Sequence, residues 1–121
     1  MNVILDTNFL VYCAKQKIDY REGIRELVKG RYELVVPNMV KDELRELEKN
    51  AKKYRDKQAA SLALQILLRN KVKTIKIKGK TADEGIVRAN KSNIIASNDK
   101  ELLSKIEKGI IASSNGKISF S

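Results

Sequence analysis

Val3-Ile4-Leu5 is an unbroken apolar run that stops at a carboxylate, Asp6. A short apolar run with polar ends predicts a buried strand. Thr7 and Asn8 follow, and a second apolar stretch opens at Phe9, where a helix is expected. That order puts Asp6 at the carboxyl end of a strand, the edge where open parallel sheets bind ligands. A carboxylate there is costly without a partner, so the other residues matter for what they bring to Asp6.

The chain then alternates helix and strand signals. Phe9 to Lys15 reads as a short helix, with Leu10 and Ala14 on one face. Asp19 and Glu22 form a capping box for a second helix carrying Ile24, Leu27 and Val28 and ended by Gly30. Tyr32 to Val36 is strand two, closed by Pro37, and Asn38 is placed to cap a helix bearing Val40, Leu44 and Leu47. The polar stretch 48–57 is either a helix–helix corner or a solvated helical arm. A further amphipathic helix follows, with Ala60, Leu64, Leu67 and Leu68 as its core face. Val72 to Ile77 is strand three, its apolar residues set among Lys71, Lys73, Lys76 and Lys78. Those lysines either bind phosphates or, as is commoner, guard an edge strand.

Thr81-Ala82-Asp83-Glu84 is a second capping box, opening a helix with Ile86, Val87 and Asn90. Asn93 to Ala96 is strand four. Asn98 is placed to cap a helix running through Lys108, with Leu102, Leu103 and Ile106 inward and Gly109 as its stop. Ile110 to Ser113 is strand five, and Asn115-Gly116 is a two-residue hairpin signal returning the chain to Phe120. Strands alternating with helices predict a three-layer α/β/α sandwich around a central, mostly parallel, five-stranded sheet in one domain, residues 1–121.

Composition narrows the chemistry. There is no His, which removes every imidazole-dependent mechanism, and Cys13 stands alone, so no internal disulfide forms and thiolate zinc sites are excluded. A single cysteine suits a reducing cytoplasm. No apolar run approaches the ~20 residues of a membrane span, and the immediate strand leaves no room for a signal peptide. With 25 Lys and Arg against 15 Asp and Glu, the net charge of +10 favours a polyanionic partner, nucleic acid first. Lys- and Glu-rich surfaces of thermophile proteins are the plainer account of such a balance.

Three carboxylates occupy equivalent junctions: Asp6 after strand one, Asp83 in the first turn after strand three, and Asp99 after strand four. Glu43, one turn into the helix after strand two, can project toward the same edge, whereas Asp42 is rotated about 100° away. Gathered carboxylates repel one another, and a divalent cation resolves the conflict. Oxygen-only ligands point to Mg²⁺ or Mn²⁺. Asp83 and Asp99 at helix starts are also favoured by the helix dipole alone.

Four stretches in this order resemble PIN-domain nucleases: Leu5-Asp6-Thr7-Asn8-Phe9-Leu10, Val36 to Leu44, Ala82 to Val87, and Ala96 to Leu102. The resemblance implies strand order 3-2-1-4-5 and a metal-dependent ribonuclease site of Asp6, Glu43, Asp83 and Asp99, with Thr7, Asn8 and Asn98 in support. It implies attack of a metal-activated water on phosphorus, leaving a 5′-phosphate. Lys49, Lys52, Lys53, Arg55 and Lys57 are expected to guide the RNA backbone. Gly79 to Asp83 and Ser97 to Leu102 resemble the archaeal and eukaryotic branch that processes ribosomal RNA, implying a ribosome-assembly partner. VapC-type toxins share the Asp-Thr-Asn start and imply a homodimer neutralised by an antitoxin. Two other readings stand beside the nuclease. One is a PIN-like module that binds RNA or protein without cutting; the other is a phosphotransfer domain with Asp6 as nucleophile, a class that usually has an acid where Asn8 stands.

Overall fold

The computed structural model describes residues 1–77, 82–88 and 92–121, without the side chains of 82, 83 and 88. The strands are β1 (Asn2–Leu5), β2 (Glu33–Pro37), β3 (Lys73–Ile75), β4 (Ile94–Ala96), β5 (Gly109–Ala112) and β6 (Ile118–Phe120). The helices are α1 (Thr7–Gln16), α2 (Tyr20–Leu27), α3 (Asn38–Asn50), α4 (Tyr54–Arg69), α5 (Ala82–Arg88) and α6 (Lys100–Leu103). They cover both faces of one sheet, ordered β3-β2-β1-β4-β5-β6. The five expected strands pair in parallel in the expected order, and the hairpin return adds β6 antiparallel to β5. Among the described residues no helix is long and apolar enough to cross a membrane.

This order decides where a ligand can sit. The chain steps outward from β1 to β2 to β3, then crosses back to the other side of β1 for β4 and β5. Connections therefore diverge between β1 and β4, and a crevice opens at the carboxyl ends of those two strands. Val3, Ile4 and Leu5 are fully buried beside Ile95 and Ala96, as a strand covered on both faces requires. Phe9 packs edge-on against Tyr20, ring centroids 6.0 Å apart, and so joins α1 to α2.

Several local expectations change. Helix α4 buries Ala59, Ala60, Ala63 and Leu67, while Leu68 is 82% exposed. Leu67 and Leu68 lie about 100° apart on the helix, so of that pair only Leu67 faces inward, while Leu64 is half-buried against the core as expected. Stretch 48–57 is a corner between α3 and α4, where Lys49, Lys52, Lys53 and Arg55 are exposed and Lys57 is half-buried. Asn38 does not cap α3; its Oδ1 accepts from the Ile77 N–H at 3.2 Å and ties the chain beyond β3 to the end of β2.

Helix α6 is one turn long and does not reach Lys108, because the Ser104 hydroxyl donates back to the Glu101 carbonyl at 2.6 Å and competes with the helical ladder. Gly109 is the first residue of β5, not a helix stop. The hairpin loop has three residues, Ser114 to Gly116. Ser113 N–H donates to the Lys117 carbonyl across the hairpin, and Gly116 N–H donates to the Ser113 carbonyl. A two-residue type I′ turn needs positive φ at both central residues; here Gly116 alone has it, at +81°. Thr81 and Asn90, expected in and after the second capping box, lie outside the described residues.

Candidate active site

Asp6 leaves β1 at the first residue before α1 and is 3% exposed. Aspartate at such a position ordinarily turns its carboxylate onto the helix's own free N–H groups. Asp6 makes no such cap. Its Oδ2 instead accepts from the Ser97 hydroxyl at 2.8 Å, across to β4. The register dictates the pairing: Leu5 lies opposite Ala96, and Asp6 N–H donates to the Ala96 carbonyl at 2.9 Å. The uncapped start of α1 supplies partial positive charge beside the carboxylate.

Ser97, fully buried, is the hub of the crevice. Its oxygen accepts from Asp99 N–H at 3.1 Å and lies 3.2 Å from Asn8 Oδ1. Asn8 Oδ1 also accepts from Asn98 N–H at 2.9 Å. One short network thus joins the first turn of α1 to the loop after β4. Asn98 secures that loop from the other side: its Nδ2 donates to the Ala112 carbonyl at 3.0 Å and its Oδ1 accepts from Ala112 N–H at 2.9 Å. It is therefore not the cap expected for α6. Asp99 is, with Oδ1 accepting from the N–H groups of Glu101 and Leu102. Asp99 is half-buried two residues past Ser97, on the Asp6 edge of the sheet.

The other two acids stand differently. Glu43 is exposed on α3. Asp83 lies on α5, which follows β3 in the chain, and its side chain is outside the described residues. Among the described residues no three acidic, His or Cys side chains gather closely enough to hold an ion. The donors in the crevice are all oxygens, with a buried carboxylate at their centre, and Thr7 Oγ1 is buried without a hydrogen-bond partner among the described residues. That set fits a hard divalent cation and not a thiophilic one. Cys13 offers no competing chemistry: it is 1% exposed, and burial pushes its thiol up to about 12.

Of the sequence candidates, Asp6, Asn8, Asn98 and Asp99 come together in one network. Thr7 adjoins it without joining it. Ser97 was missed, although a hydroxyl directly after the buried run Ile94-Ile95-Ala96 carries the same signal as Asp6 after Val3-Ile4-Leu5.

A family model described as a PIN like domain matches residues 3–112. Ribonuclease VapC4 of Methanocaldococcus jannaschii is 37% identical over 111 residues, 86% of this chain and 81% of that protein. The rRNA-processing protein fcf1 of Schizosaccharomyces pombe is 34% identical over 112 residues, 88% of this chain, which spans 54% of the yeast protein's length. Among solved structures, the PIN domain endonuclease Utp24 superposes with a TM-score of 0.78 at 27% identity, covering 99% of this chain and 90% of that one. The motif order, the strand order and these likenesses converge: the chain belongs to the PIN-like domain family.

Proposed function

We propose that this chain is a divalent-metal-dependent endoribonuclease that hydrolyses RNA at the crevice between β1 and β4. The observation that carries the reading is Asp6, a buried carboxylate that forgoes capping its own helix and is held by Ser97 toward the carboxyl edge. Asp6, Glu43, Asp83 and Asp99 would hold Mg²⁺ or Mn²⁺. The bound cation supplies positive charge for the phosphodiester and a water nucleophile at neutral pH. The chain's own residues fix the acids. Ser97 orients Asp6, the α6 N–H groups orient Asp99, and Asn8 and Asn98 keep the two loops in register. With no His present, charge placement at the site would rest on these carboxylates.

RNA is the proposed substrate because the relatives are a ribonuclease and an rRNA-processing protein and the net charge here is +10. The rRNA-processing role, with a ribosome-assembly partner, and the toxin role, with an antitoxin and a homodimer, are the two settings this reading allows. Purified chain should cut a structured RNA with Mg²⁺ or Mn²⁺ and stop on chelation. Asp6→Asn and Asp99→Asn should each abolish cutting while the far-ultraviolet circular dichroism stays native. Full Mn²⁺-dependent activity in both variants refutes the site. Binding of RNA with no cutting under either metal favours the non-catalytic module instead.

A further inference from the structure

A second feature lies at the opposite edge of the sheet. A groove of about 320 Å³ opens at the amino ends of β2 and β3, lined among others by Arg21, Arg25, Tyr32, Asn70, Lys71 and Lys73. Its lining carries four cations and one carboxylate, Glu33. Arg25 is engaged by Glu22, but Arg21, Lys71 and Lys73 form no ion pair among the described residues. Four cations against one carboxylate around one concavity raise the local potential for anions. Tyr32, half-buried at the same wall, offers a ring beside them.

Lys71 is placed at a conformational cost. It sits one residue past the cap of α4 with φ +54°, in the left-handed region where glycine is the usual residue. The backbone motif is complete: Lys71 N–H donates to the Leu68 carbonyl and Val72 N–H to the Leu67 carbonyl. A side chain in that conformation is strained, because its Cβ crowds the following carbonyl. The helix dipole favours a cation near this end, yet Arg69 already supplies one in the last turn.

The groove is not isolated from the crevice. Lys73 opens β3, the edge strand, with Lys71 two residues before it, and Lys76 lies exposed just beyond the other end. Ile75 is paired with Pro37, and Val35 with Ile4, so the far end of β3 is level with Asp6. It stands two strand spacings, ~10 Å, to the side. Lys73 and Lys76 thus flank the two ends of the edge strand, one beside the groove and one near the acidic edge.

We propose that this groove is an exosite for the phosphodiester backbone of single-stranded RNA, with Arg21, Lys71 and Lys73 on phosphates and Tyr32 stacking a base. Aromatic and cationic groups along one path are what sequence-tolerant single-strand binding uses. The proposal rests on the ribonuclease reading only for the identity of the strand, not for its binding.

The test uses a fluorescein-labelled 20-nucleotide oligouridylate and the Asp6→Asn chain, with Kd read by anisotropy at 50 and 200 mM salt. Three lost phosphate contacts lower the log–log salt slope by about 2 for a single strand. Arg21→Gln/Lys71→Gln/Lys73→Gln should therefore bind more weakly at 50 mM. Across the salt range it should lose about 16-fold less affinity than its parent, as that slope requires. A charge-matched control, Lys105→Gln/Lys108→Gln/Lys117→Gln, removes exposed lysines on the β5 side and should retain most of the slope. Ultraviolet cross-linking should place RNA on the peptide containing Tyr32, and Tyr32→Leu should remove that adduct. Equal losses in groove and control variants overturn the exosite. If the wild-type chain cuts RNA while the groove variant binds like its parent, the exosite fails and the nuclease reading stands. If binding depends on the groove but no RNA is ever cut, the reverse holds; no binding of the oligouridylate at 50 mM overturns the exosite, and cutting of a structured RNA then decides the nuclease reading by itself.

Discussion

Replacing Ser97 with alanine tests the crevice most directly. The Ser97 oxygen donates to a buried carboxylate and accepts from Asp99 N–H, and the side chain is fully buried, so water cannot take its place freely. A hydrogen bond to a charged group contributes about 1.5–3 kcal/mol and a neutral one about 1 kcal/mol. The loss should come to about 2–4 kcal/mol, a large part of the ~5–15 kcal/mol that stabilises a domain. With a urea m-value of ~2 kcal/mol/M, the middle of the usual range, the midpoint should fall by about 1–2 M. Equilibrium urea unfolding followed by circular dichroism measures this. The cycle through Asp6→Asn and the double variant should show a coupling of roughly 1 kcal/mol or more, because the two residues are in contact. A Ser97→Ala midpoint change worth less than ~0.5 kcal/mol, the size of an ordinary surface substitution, refutes the reasoning. So does a large loss with no coupling to Asp6, which would mean that Ser97 acts by packing.

Two further outcomes follow from contacts elsewhere. A Cβ at Gly23 would lie 2.5 Å from Ile118 Cγ1 and 2.9 Å from Ile118 Cβ, and the second atom moves only with the β6 backbone. Gly23→Ala gains about 1 kcal/mol of helix propensity but forces an overpacking cost of ~1–3 kcal/mol, so a net loss is expected in urea unfolding; a more stable variant would show that β6 gives way freely. The Lys15 ammonium, 2.5 Å from Asp56 and hydrogen-bonded to it, holds the Asp56 carboxyl below the usual carboxylate range. A depressed folded-state pKa contributes stability above the unfolded value of ~3.9 that is lost as pH falls through the folded one. Wild type should thus lose more stability between about pH 5 and 3 than Asp56→Asn does; parallel curves would place the effect elsewhere.

Much of the fold was legible locally because its signals are local. Each βα junction is an apolar run, a polar stop and a helix start, and the Asp19–Glu22 cap formed as its spacing requires. Where neighbours in space decide, local signals failed. Asn98 and Asp99 both suit a helix cap by residue type, and β5 settled the choice by engaging Asn98 through Ala112. Leu64 packs against the core as its period requires, but Leu67 and Leu68 are adjacent, and the way α4 lies on the core decided that Leu67 is buried and Leu68 exposed. Asn38 had a cap's identity and a strand's job.

The sequence by itself determined which groups the chain has to offer: oxygen donors without imidazole, acids at three strand-to-helix junctions, and a net cationic excess. Those follow from residue identity and chain order, which no packing alters. The strand order that sets β4 beside β1 was expected from the family resemblance, but only the tertiary structure decided that Ser97, ninety-one residues from Asp6, holds its carboxylate. Likewise, only the pairing of β3 at the sheet edge turned lysines scattered in the chain into one wall of a groove. Strand order is a long-range outcome of how helices cover both faces of a sheet, and a partner supplied from across that sheet leaves no spacing for the sequence to display.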